Sequence, residues 1–166
     1  MTTRKAVELA FLMAAGIVLQ IMESFLPVVF IVPGFKIGFA NIIALYTLYN
    51  YDTRSMWIVG IGRIFMASLL QGLLFSVSFW LSLAGGLLSL SIMSLLHRTG
   101  KFSIYGVSVA GAACHSIGQV AAVTFIYQQF FMQLYLPVLL ALSIVSGLCI
   151  GILAGQLIRR LRRVTL

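Results

Sequence analysis

The chain carries almost no acid. Glu8, Glu23 and Asp52 are its only carboxylates, too far apart in sequence for a two-carboxylate dyad or an Asp-rich Mg²⁺ site. No Gly-rich loop ending in Lys-Ser or Lys-Thr cradles a phosphate, so the chain does not hydrolyse ATP itself. The serines lack a nucleophile-elbow context. Cys114 and Cys149 are the two cysteines, and they offer neither a ligand-spaced cluster nor a disulfide framework. A lone Cys in an apolar stretch is a small filler. The residues therefore read as a non-enzyme with no metal site and no cofactor.

Charge of either sign is scarce. Charged residues make up 8% of the chain against 61% hydrophobic, and the mean hydropathy is +1.11. From Ile64 to Leu96, thirty-three residues pass without a charged side chain. An uncharged run of about 18 residues or more reads as membrane-spanning. This run is too long for one span; extended back to Met56, it makes two spans joined by a tight turn. Alternating strands of the barrel type are missing, and backbone groups in lipid must pair within the chain, so the spans are helices.

The pattern predicts one all-α transmembrane domain over residues 1–166, with helices near 5–26, 37–50, 55–75, 78–97, 103–127 and 134–160. The basic start and apolar segment, with no small-residue cleavage site before Pro27, read as an uncleaved first helix. A net charge of +8 would suit nucleic acid, but no basic groove interleaved with aromatics exists. Position explains the charge instead. Arg4, Lys5, Arg54, Arg98, Lys101, Arg159, Arg160, Arg162 and Arg163 all flank predicted spans on one side, against Lys36 on the other. That bias puts both termini in the cytoplasm, which requires an even number of spans. The C-terminal Arg cluster also attracts anionic lipid.

Small residues recur at four-residue spacing and let helix backbones approach. Gly147, Gly151 and Gly155 read as packing within the bundle. Ala6, Ala10 and Ala14 suit either packing or a face for another subunit. Phe75, Phe79, Trp80, Tyr127, Phe130, Phe131 and Tyr135 read as an aromatic belt at the outer interface. The apolar segment from Pro27 to Phe35 holds two prolines and a glycine, and it reads as an ordered outer loop.

The few polar groups inside the spans mark the candidate site, because such groups are expensive in lipid and face a cavity or a partner. Arg63 falls about 12 Å along the third helix, and His115 and Gln119 about 18 and 24 Å along the fifth. The latter two are four apart and share a face. Glu23, Lys36, Asn41, Gln71, His115 and Gln119 come to a similar outer depth from four helices, the geometry of a solute pocket. Glu23 and Lys36 also admit a plain salt bridge. Guanidinium keeps its charge, so Arg63 needs an anion, carbonyls or a partner, and no acid is expected at its depth.

PGFKIGFAN (Pro33 to Asn41), the isolated Arg63, SLAGGLLSLSIM (Ser82 to Met93) and FSIYGVSVAGAACHSIGQ (Phe102 to Gln119) resemble the Gx transporter family. Its members are labelled heptaprenyl diphosphate synthase component I. That family is similar to the substrate-binding S-components of energy-coupling-factor (ECF) transporters. The resemblance implies six helices with both ends cytoplasmic, capture of a vitamin-like solute from outside, and flexible outer loops over the site. It also implies an Ala-x-x-x-Ala face, matched by Ala6, Ala10 and Ala14, that docks on a transmembrane coupling subunit driven by two cytoplasmic ATPases. Ser116 departs from the family, which often has Asn there. The expected cargo is a small anionic solute related to vitamins, quinones or isoprenoids, held by Lys36, Asn41, Arg63, Gln71, His115 and Gln119. The alternatives are an accessory subunit of isoprenoid or quinone synthesis and a solitary secondary transporter. A catalytic prenyl synthase would need paired Asp-rich motifs, and Asp52 is the single Asp.

Overall fold

The computed structural model describes residues 3–25, 38–128 and 130–164, with the backbone alone for residues 132 and 161–164. Lys36 and the Pro27 to Phe35 loop lie outside the described residues. Helices α1 (Thr3–Ser24), α2 (Ala40–Asn50), α3 (Thr53–Leu70), α4 (Val77–Thr99), α5 (Ile104–Tyr127) and α6 (Leu136–Val164) account for most of them. A 3-10 turn, Phe130–Tyr135, leads into α6. No strand occurs among the described residues.

Local chemistry sets the boundaries. Asp52 caps α3 by accepting the Ser55 N–H at 2.6 Å, and Ser76 and Ser103 cap α4 and α5 in the same way, each satisfying a donor that the first turn leaves open. Gly100 ends α4 in the left-handed conformation, φ 64°, which glycine adopts without a Cβ penalty. The third helix stops at Leu70, several residues before the expected 75, because Gly72 (φ 68°) and Phe75 (φ 63°) reverse the chain. For Phe75 that conformation costs about 1–2 kcal/mol, offset by edge-to-face packing of its ring on Phe79 at 5.7 Å. The second helix starts at Ala40 rather than 37, after Gly38 at φ 84°.

Helix α4 packs along α5 and α5 along α6, while α1 lies on α3 and α2. Short α2 sits in the middle, touching α1, α3 and α6, and eight of its eleven residues are buried. Its lower half joins the main apolar cluster, in which Ala44, Leu45 and Leu48 meet Met56 of α3, Leu90 and Met93 of α4, Val107 of α5 and Ala154 of α6. The glycine ridge is packing, as expected. A Cβ on Gly147 would lie 2.7 Å from the Cα of Val109 on α5, and Ser108 donates to the Gly147 carbonyl at 2.7 Å. Ser116, the position that departs from the resemblance, pairs with Ser143 of α6 at 2.6 Å.

The outside is apolar. Phe11, Phe25, Phe125 and Phe130 are each 75% or more exposed, which water would penalise and lipid tails do not. Among the described residues, four helical stretches are long and apolar enough to cross a bilayer: Thr3–Ser24, Val77–Thr99, Ile104–Tyr127 and Gln133–Arg160. The fold is that of a helical membrane protein. Phe79 departs from the expected aromatic belt: it is 1% exposed and lies at the centre of rings from Phe65, Phe75 and Trp80.

A polar clasp joins the start of α1 to the α2–α3 corner. Lys5 pairs with Asp52 at 2.5 Å, and the Tyr51 hydroxyl donates to Glu8 at 2.9 Å. The Lys5 hydrogen bond, with help from the Ser55 N–H, holds the Asp52 carboxyl down to about 2. Burial, and then the Glu8 carboxylate, pushes the Tyr51 phenol up to about 12.

Candidate solute-binding site

Five elements deliver polar side chains to one internal point. From α3, Arg63 points inward, 4% exposed, with its stem 3.3 Å from the position of a Cβ on Gly16 of α1. Its guanidinium donates through Nη2 to Asn41 Oδ1 of α2 at 2.8 Å. Helix α1 adds Gln20 and Glu23, α4 adds Ser82 and α5 adds His115, and with Gly38, Ala40 and Ile64 these line a cavity. Its free volume, swept by a water-sized sphere, is about 20 Å³, room for a water molecule and little more. A vitamin-sized ligand needs more room than this.

Glu23 corrects the expectation that no acid meets Arg63. It is 4% exposed, lines the same cavity, and its negative charge acts on the guanidinium. It sits at the end of α1, as residue counting along the helix places it, and its carboxylate accepts the Gly38 N–H just before α2. The carboxylate of one helix thus stabilises the N-terminal approach to another, where side-chain capping of α2 is missing.

Of the residues singled out from sequence, Glu23, Asn41, Arg63 and His115 converge on the cavity. Gln119 is buried one turn along α5 from His115, off the lining. Both pack on α4 at Gly85, where a Cβ would lie 2.9 Å from Gln119 Cγ and 2.8 Å from the His115 carbonyl. Gln71 caps the end of α3 instead; its Oε1 lies 3.1 Å from Ser24 Oγ, tying α3 to α1. Gln20 and Ser82 were missed. Gln20 carried a signal, an amide inside an apolar span; Ser82 is one of several serines on α4 and carried none.

Satisfaction of the polar atoms is incomplete. Arg63 Nε, Gln20 Oε1 and Gln119 Nε2 are buried with no hydrogen-bond partner among the described residues. Each such group costs about 1–3 kcal/mol if nothing fills the gap. A water or ligand in the cavity would supply what Arg63 and Gln20 lack. No group of three or more metal-ligating side chains is present among the described residues.

Fold and site together define a class: a helical membrane protein with a small buried polar chamber at the meeting point of five helices. Within that class the chain belongs to the heptaprenyl diphosphate synthase component I family, whose model matches residues 12–157, a stretch that includes every residue of the cavity. No curated protein and no solved structure matches the chain.

Proposed function

We propose that the chain is the substrate-binding subunit of an ECF-type importer in the bacterial cytoplasmic membrane. In this reading α2 and α3 also lie within the bilayer, giving six membrane helices with both termini in the cytoplasm. The protein captures a small solute from outside and is not itself an enzyme. Transport energy comes from two ATPases acting through a coupling subunit that docks on the Ala6, Ala10 and Ala14 face of α1. Ala10 and Ala14 are exposed and Ala6 half-buried, which leaves that face free for a partner.

One observation carries the reading: a buried guanidinium, with an N–H unpartnered among the described residues, lines a polar cavity inside the helical bundle. A purely structural arginine would have all its donors met by the surrounding protein. Purified Arg63→Ala and His115→Ala variants are expected to stay folded by circular dichroism and to lose at least tenfold in affinity for the ligand that wild type retains. Unchanged affinity in both variants refutes the assignment.

The family description favours a second reading, an accessory subunit for prenyl diphosphate synthesis. In that case the chain captures a soluble prenyl synthase in a pull-down and changes its rate. The importer reading expects ATPase and coupling subunits in the same experiment.

A further inference from the structure

Two open atoms restrict what can fill the cavity. Arg63 Nε–H is a donor and Gln20 Oε1 an acceptor, both buried, both on residues of the lining, and neither partnered among the described residues. Glu23 follows Gln20 by three positions and shares its helix face, adding an acceptor-only group whose charge opposes that of Arg63. Asn41 Oδ1 is already engaged by Arg63.

An ionised phosphate or carboxylate accepts hydrogen bonds and donates none. In this chamber it would satisfy Arg63, leave Gln20 Oε1 unmatched and stand against the Glu23 carboxylate. A carbonyl beside an N–H satisfies donor and acceptor together, and it brings no charge to a cavity whose lining already holds one group of each sign, Arg63 and Glu23. Resting on the solute-capture reading, we infer that the ligand inserts an uncharged edge with an acceptor next to a donor, the class of a cyclic amide or ureide. A diphosphate or carboxylate is excluded from this chamber. The inference replaces the anionic cargo expected from Arg63, Lys36 and His115 in the sequence.

The test uses the full-length chain in detergent, with uracil as the ring-ureide probe and inorganic diphosphate as the anionic one. Thermal shift and calorimetry are run on wild type, Arg63→Gln, Arg63→Lys and Glu23→Gln, with native mass spectrometry of wild type in parallel. Uracil should raise the melting temperature of wild type and fail to do so in either Arg63 variant, while diphosphate leaves wild type unchanged. Glu23→Gln should bind diphosphate at least tenfold more tightly than wild type, because the opposing charge is gone. Diphosphate stabilising wild type overturns the ligand class and leaves solute capture standing. So does a retained molecule that bears phosphate or carboxylate and no ring amide. If neither probe binds, the cavity holds a structural water only and the inference fails. If wild type also retains no small molecule in native spectra, solute capture fails with it.

Discussion

Asn41 gives its side-chain carbonyl to Arg63 at 2.8 Å, a charge-assisted bond inside the bundle. Asn41→Ala should therefore destabilise the protein by about 1.5–3 kcal/mol, read as a lower unfolding midpoint in detergent. An unchanged midpoint would mean that the amide is dispensable to the guanidinium. Asn41, Arg63 and His115 were legible in the sequence because a polar group in an apolar helix has few places to go. Depth arithmetic brought Asn41 and His115 to one level with Glu23 and set Arg63 deeper. It missed the meeting of Glu23 with Arg63, because residue counts fix where a Cα lies and say nothing of how far two long side chains extend toward one another. It failed for Gln71 because the helix that was to carry it inward ends at Leu70, and that ending depends on a turn whose tightness comes from Gly72 and Phe75 together.

Among the elements, the α1 start and the α2–α3 corner are held by charge. The Asp52 carboxyl is depressed to about 2, below the unfolded value of about 3.9, so its contribution is complete above pH 4 and disappears as pH falls through 2. Asp52→Asn keeps the cap and removes the charge. Its melting temperature should lie slightly below wild type at pH 7, and the gap should close between pH 4 and pH 2. The gap is small because the pair is part-exposed, and such pairs contribute about 0–1 kcal/mol. A difference that persists at pH 2 would assign the effect to the cap. Helix positions were readable from loop charges such as Asp52, Arg54, Arg98 and Lys101. The 3-10 turn before α6 and the late start of α2 were not, since both depend on backbone angles that composition does not set.

For the whole molecule, an all-helical membrane fold followed from hydropathy alone, whereas the central position of α2 did not. A helix of eleven residues spans about 16 Å, and nothing in its composition distinguishes a buried stub from a tilted span. The exposed Ala10 and Ala14 belong to this scale, because they matter only if another subunit lies against α1. Replacing both by Trp should abolish copurification with the coupling subunit and leave solute affinity unchanged. Normal assembly of that variant would remove the docking face from the proposal.

The central stub has one more effect. Beneath the chamber, Ala44, Leu45 and Leu48 close ranks with side chains from four other helices, so among the described residues the chamber rests on an apolar floor. An ion in the chamber would meet hydrocarbon below it instead of a path. If the chain is the capture subunit proposed above, its cargo would leave only when that floor is pried open or the whole subunit turns, and copies standing idle would not drain the gradients of the cell.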